Sequence, residues 1–323
     1  MATRILPDLA PGPSVRQMAS PARRAAQAGW NVLWTGVTGL ATLWIVVIVV
    51  VILGTIVLGG WQSLTWEFLS ANPENGMTEG GIFPAIFGTV FLVLLMILAV
   101  LPVGVLAAVY LHEYARPSSP ITRTVRFAVN NLAGVPSIVF GLFGLGFFVQ
   151  FLGRGIDGAL GLGLLFGQPA ILWAALTLAL LNLPVVIVAT EEALRAVPRS
   201  AREGSLALGA TRWQTVWSVV LPQALPGVLT GAILSVSRGA GEVAPILFTG
   251  AAYYLPYLPT SPTDQFMELG YHVYVLATQS PNVEQTLPLL YATVLVLLIL
   301  TFALNFTAIL IRARLRRGMG LRD

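Results

Sequence analysis

The chain contains no cysteine and no lysine, and histidine occurs only at His112 and His272. Without cysteine there is no disulfide, no thiolate nucleophile and no zinc–thiolate site. The two histidines lie 160 positions apart, which gives no metal-binding spacing. With no lysine, all 18 basic residues are arginine, which we read as composition bias, and the phosphate-cradling pattern GxxxxGK[ST] is absent. Charge is scarce altogether: 10% of residues are charged, against roughly 25% in soluble domains.

What is abundant is apolar. Of 323 residues, 56% are hydrophobic, and the mean hydropathy is +0.81. A membrane-crossing helix needs about 20 mostly apolar residues. Trp34 to Gly59 and Ile82 to Leu111 each supply such a run without a charge. The pattern predicts six spans, at about 32–59, 82–111, 128–152, 169–190, 219–250 and 286–310. The expected class is an all-α membrane protein with a transmembrane domain over 32–310. A Pro/Ala-rich tail, 1–30, precedes it, and a basic tail, 311–323, comes after it. Pro136 and Pro184 mark expected kinks.

The arginines sort by side. Sixteen of the 18 fall in the two tails and in the links after spans two and four; the others are Arg154 and Arg238. The positive-inside rule then places both termini in the cytoplasm. The net charge of +4 and basic pI therefore report topology, and no nucleic-acid partner is expected. Tyr253, Tyr254, Tyr257, Tyr271 and Tyr274 fall in the outer link, where anchoring at the lipid interface competes with contact to an outside protein. His112 and Glu113 read as interfacial. Asn130 and Asn131, with Arg126 nearby, read as a cap on span three.

The link 191–222, EEALRAVPRSAREGSLALGATRWQTVWSVVLP, is too long for a simple turn between helices. SAREGSLALGA favours helix between Pro198 and Gly209, and Thr211 stands three residues before Gln214, the capping-box spacing. These signals predict a short helix across the cytoplasmic mouth. Its role is either to cap the bundle or to dock a soluble partner.

Here the chain resembles a known family. EGSLALG, nine further residues and VVLP are similar to the EAA loop of permease subunits in ATP-binding-cassette importers. Glu203, Gly204 and Ser205 stand at its Glu-Ala-Ala positions, Gly209 at its glycine, and Leu221 and Pro222 at its closing Leu-Pro. Glycine and serine replace the two alanines, which keeps side chains small but lowers helicity. YLHEYA, NNLAGVPSIVFGLFG, EEALRAVP and RGAGEVAPILFTG narrow the resemblance to PstA-type permeases of bacterial phosphate importers, over about 80–310. The resemblance implies a six-span type I importer permease in the bacterial inner membrane. It implies a homologous permease partner, a cytoplasmic ATPase dimer docked on 191–222, and a periplasmic phosphate-binding protein. ATP and Mg belong to that ATPase; no cofactor is expected on this chain.

One segment sets charges inside a span. From Gln223 to Thr263 the only ionisable groups besides tyrosines are Arg238 and Glu242, four apart and expected on one helix face. An unpaired charge at bilayer depth costs at least about 2.5 kcal/mol, and apolar side chains would avoid that cost. The pair either fixes helix register or pairs with the sister subunit, or it forms a substrate path in which an arginine fork meets an oxyanion while Glu242 holds or gates it. Gly239 and Gly241 are expected to leave room beside it for an anion or for a neighbouring helix. A permease for sulfate, molybdate or a peptide, a self-sufficient transporter, and an integral-membrane enzyme are the alternatives. The enzyme lacks a thiol or grouped histidines to work with.

Overall fold

A computed structural model describes residues 21–75, 79–280 and 283–318. The chain divides into two units, residues 1–55 and 56–323. Most of the proposed N-terminal tail and the last residues of the C-terminal one, with Arg4, Arg16 and Arg322, lie outside the described residues. Residues 21–30, read as tail, already belong to the first helix, α1 (Pro21–Gly60). Beyond Arg23, Arg24, Gln27 and Asn31 in its first turns, α1 is mostly apolar on every face up to its closing Gly59–Gly60. Its side chains from 29 to 53 are exposed, as suits a helix solvated by lipid.

In the second unit the end of α1 is followed by a 3₁₀ turn, Trp61–Ser63, and a short helix, α2 (Trp66–Ser70), capped by the Thr65 hydroxyl. A two-residue antiparallel pair comes next, β1 (Pro73–Glu74) with β2 (Glu79–Gly80). α3 (Phe83–Val109) takes Pro84 in its first turn, where no amide donor is needed, and widens into a π turn at Tyr110–Tyr114. α4 (Pro120–Leu132) is amphipathic and stands apart from the third span. That span, predicted at 128–152, instead runs Ser137–Leu160 as α5 (Ser137–Phe143), a π stretch (Gly144–Gly153) and α6 (Arg154–Leu160). Pro136 is the cause: it forces an extended backbone before the helix, and the turn at Ala133–Gly134 ends α4. Asn130 and Asn131 thus close α4 and cap no span.

α7 (Ile171–Ala196) is the most buried span and passes Pro184 without interruption. Its apolar face meets Leu92, Val93, Met96 and Val100 of α3 in the main core, together with Ile246 and Phe266. Because α7 continues to Ala196, the long inner link shrinks to 197–211. That link holds α8 (Arg199–Ala207), entered through Pro198, and a reversal at Gly209. Thr211 forms both halves of a capping box with Gln214 at the head of α9 (Arg212–Thr215), and a π turn (Val216–Val220) leads into α10 (Leu221–Gly239). Gly227 and Gly231 let α10 approach Ala193 and Ala189 of α7 closely.

The fifth span starts earlier than predicted and ends at Gly239 rather than 250. Gly239 and Gly241 are poor helix formers, and Pro245 offers no amide donor. Residues 240–268 form turns folded over the starts of α3 and α7. The Ala170 amide donates to Thr249 O and the Ile171 amide to Asp264 O, both at 2.8 Å, and Met267 O lies where a side chain on Gly88 would stand. α11 (Leu269–Thr278) and α12 (Val283–Gly318) complete the chain. Among the described residues six helices are long and apolar enough to cross a membrane, and the chain is an all-α, multi-pass integral membrane protein apart from the two-residue strand pair.

Candidate functional site

Arg238 occupies the last turn of α10, and Glu242 lies beyond the helix. The expectation that both ride one helix face is therefore corrected. The chain turns through Ala240 and Gly241, and the turn still brings Arg238 Nε–H to Glu242 Oε1 at 3.0 Å. The pair is also not sealed inside the chain: the Arg238 side chain is 39% exposed and that of Glu242 19%. Among the described residues the two terminal guanidinium nitrogens make no hydrogen bond, so the arginine is clamped by one edge while the other stays open. Gly241 borders open space as expected. Gly239 makes room for the neighbouring helix instead: Met96 of α3 fills the position its side chain would take. Met96 sits near the middle of the 32-residue span Phe83–Tyr114, which sets Arg238 near mid-depth.

Further polar residues, not among those expected from the sequence, surround the pair. Asn305 of α12 donates Nδ2–H to the Ser237 hydroxyl at 2.8 Å. Ser235 is buried with its hydroxyl unpartnered, and Asn182 of α7 is buried with Oδ1 unpartnered, its Nδ2–H donating to Leu178 O at 2.9 Å. Polar groups within apolar spans are costly and so point to function or packing; the sequence carried that signal for each of them.

The inner link forms a second constellation. Glu203 and Gly204 are exposed on α8, and a side chain on Gly204 would meet nothing. Ser205 Oγ lies 3.0 Å from Thr215 Oγ1, which ties α8 to α9. Gly209 has φ +84°, a left-handed conformation that costs other residues roughly 1–2 kcal/mol. Leu208 is 91% exposed and Trp213 61%, an apolar surface beside that turn. Leu221 and Pro222 open α10, about 25 Å along the helix from Arg238 at 1.5 Å per residue. Arg238 and the Leu221–Pro222 end of the inner link therefore stand at opposite ends of α10.

Arg202 holds α8 in place. Its Nε–H and one Nη–H donate to Glu113 Oε1 at 3.2 and 2.9 Å, and its Nη groups also donate to Val197 O and Leu194 O at 2.7 and 2.6 Å. Glu113, read as merely interfacial, thus joins the end of α3 to the inner helix. A similar tie joins α4 to α7, where Arg126 donates to Glu191 Oε2 and to Leu111 O, both at 2.9 Å.

On the opposite end, Tyr254 donates to Pro73 O at 2.9 Å, so this tyrosine braces the outer link against β1. Glu268 caps α11, accepting from the Gly270 and Tyr271 amides at 2.8 and 2.7 Å. Burial raises its carboxyl to about 7, with those amides acting against the shift. Burial also lowers His272 to about 4. Asp264, half-buried, is lowered by the Ser261 and Thr260 amides it accepts from.

Residues 100–320 match the family described as the binding-protein-dependent transport system inner membrane component. The chain belongs to this family. It is 34% identical over 265 residues to the probable ABC transporter permease protein YqgI of Bacillus subtilis, covering 78% of this chain and 85% of that one. It is 36% identical over 228 residues to a probable phosphate transport system permease protein PstA of Methanocaldococcus jannaschii, covering 71% and 74%. A solved bacterial alginate ABC transporter shares the fold at TM-score 0.61 and 15% identity, over 88% of this chain and 94% of that one. The MetNI methionine transporter does so at 0.50 and 22%, over 73% and 94%. The chain is thus an importer permease subunit that forms part of a translocation pathway.

Proposed function

We propose that this permease carries phosphate, and that Arg238 and Glu242 form its mid-depth station. The observation that carries the reading is the half-clamped guanidinium. One edge is held by Glu242 at 3.0 Å, the other faces away from protein near the centre of the span. A planar fork with free donors matches an oxyanion's paired oxygens. A neighbouring carboxylate that competes for the fork lets the anion leave again, as conduction requires. Phosphate, rather than another oxyanion, is favoured by the RGAGEVAP and NNLAGVPSIVFGLFG segments and by relatives named as phosphate permeases.

In this reading a homologous permease subunit completes the passage, with both chains' termini cytoplasmic. The core importer region is about 80–310, and a cytoplasmic ATPase dimer docks on the 191–222 segment. Glu203, Gly204, Ser205 and Gly209 meet the ATPase, and Leu221 and Pro222 close the loop. ATP and Mg act on that partner, and a periplasmic binding protein delivers phosphate. The acidic outer links, with Glu67, Glu74, Glu79, Asp264 and Glu284, support delivery over direct collection, since they repel free anions. The test is anion selectivity of ATP-driven uptake by the reconstituted complex. Phosphate uptake resistant to excess sulfate and molybdate is expected; equal or better uptake of either rival would overturn the assignment.

A further inference from the structure

A cavity of about 360 Å³ lies between α4, α7 and α10, lined by Asn130, Pro184, Val188, Glu192 and Leu234 among others. Leu234 stands one turn before Arg238 on α10, on the same exposed face and about 6 Å nearer the coupling end. From Pro184 to Glu192 the cavity runs along α7 for about 12 Å toward the inner link. A second cavity, about 70 Å³, shares Val129, Asn130 and Val188 with the first and adds Arg126 and Glu191. The two lie side by side along α4 and α7, and the larger begins a turn from Arg238 and ends at Glu192 on the coupling side.

Its walls are apolar but its polar groups are not paired off. Asn130 and Glu192 are exposed and make no hydrogen bond among the described residues, whereas Arg126 and Glu191 bond each other at 2.9 Å. Glu192 is the ionisable group that lines the larger cavity, and Arg126 and Glu191 in the neighbouring one balance each other. A groove meant for acyl chains would not carry an unpaired carboxylate and an unpaired amide.

We infer that this space is the coupling-side vestibule of the passage, and that Glu192 expels the anion after it leaves Arg238. The inference rests on the pathway reading above. A carboxylate beyond the arginine station makes the vestibule a poor place for an anion to dwell, and it opposes return to Arg238 from inside. Arg238 and Glu192 then act in sequence, one holding and the other releasing.

The absence of cysteine makes a direct test possible. Asn130→Cys and Val188→Cys are introduced singly into the complete importer in inside-out membrane vesicles. Each is labelled with a cationic and an anionic methanethiosulfonate of similar size, and Leu98→Cys on the exposed apolar face of α3 is the dry reference. Both vestibule cysteines should react while Leu98→Cys stays inert. Their cation-to-anion rate ratio, relative to free cysteine, should fall on the order of tenfold when Glu192→Gln is added. Glu192→Asp should restore it. At equal membrane abundance, Glu192→Gln should also make uptake sensitive to severalfold lower internal phosphate. Unreactive vestibule cysteines, or a ratio that Glu192→Gln leaves unchanged, would overturn the inference. The labelling does not depend on which anion is carried, so a vestibule confirmed by cysteine chemistry would stand even if uptake showed no phosphate selectivity.

Discussion

Arg238 and Glu242 stand four residues apart, yet only the arginine is helical. Glu242 is carried by the turn that follows α10, where the Ala240 and Gly241 amides donate back to Val236 O and Arg238 O, and the contact of Arg238 Nε–H with Glu242 Oε1 closes that turn. Elsewhere at this scale, Glu268 and His272 make a prediction about pH. Glu268 is raised from 4.5 to about 7, so the folded state holds a proton that the unfolded chain has lost; its contribution is full below about 4.5 and fades as pH rises through 7. His272 is lowered from 6.5 to about 4, so its contribution is full above 6.5 and fades as pH falls toward 4. The two oppose each other between 4.5 and 6.5, and above 6.5 Glu268 acts alone. Melting temperature in detergent should therefore drop from pH 6.5 to 8 in the unaltered protein and stay nearly level in Glu268→Gln. An equal drop in both would remove Glu268 from the account.

At the scale of elements, the inner helix α8 is where sequence and geometry meet most closely. Pro198, Gly209 and the Thr211–Gln214 box are local signals, and each appears as read because local chemistry decides it. The ties of Arg202 to Glu113 and of Arg126 to Glu191 were not legible, since they span 89 and 65 positions and depend on how α3, α4, α7 and α8 pack. The end of α10 was misjudged for a related reason: apolar content continues past Gly239 while helix propensity does not. Arg202→Lys should keep the charge but lose the fork that grips Leu194 O, Val197 O and Glu113 together, costing about 2 kcal/mol and weakening coupling of ATPase activity to uptake. Fully coupled turnover and an unchanged melting temperature would count against that anchor. Gly209→Ala should cost only the roughly 1–2 kcal/mol of left-handed strain, because nothing stands near its side chain. Gly209→Asp adds a charge beside exposed Leu208 and Trp213 and should also release the ATPase subunits; co-purification in normal yield would contradict docking at this turn.

For the whole molecule, six spans and the all-α class could be read from apolar run length alone, since a helix solvated by lipid needs no partner pattern to be recognised. Span borders were less legible where prolines and glycines compete with hydropathy, as at Pro136. The proposed passage was legible only as one charged pair, because the space beside it is lined by α4, α7 and α10, which are distant in sequence. What unites the observations is position: Arg238 near mid-depth, a space with Glu192 on its coupling side, and the inner turn at the far end of α10. Uptake of radiolabelled phosphate by the reconstituted complex carrying Arg238→Ala, with assembly and ATP hydrolysis measured in the same preparation, bears on this most directly. The account expects assembly and hydrolysis to persist while uptake falls to background; uptake at the unaltered rate would contradict it.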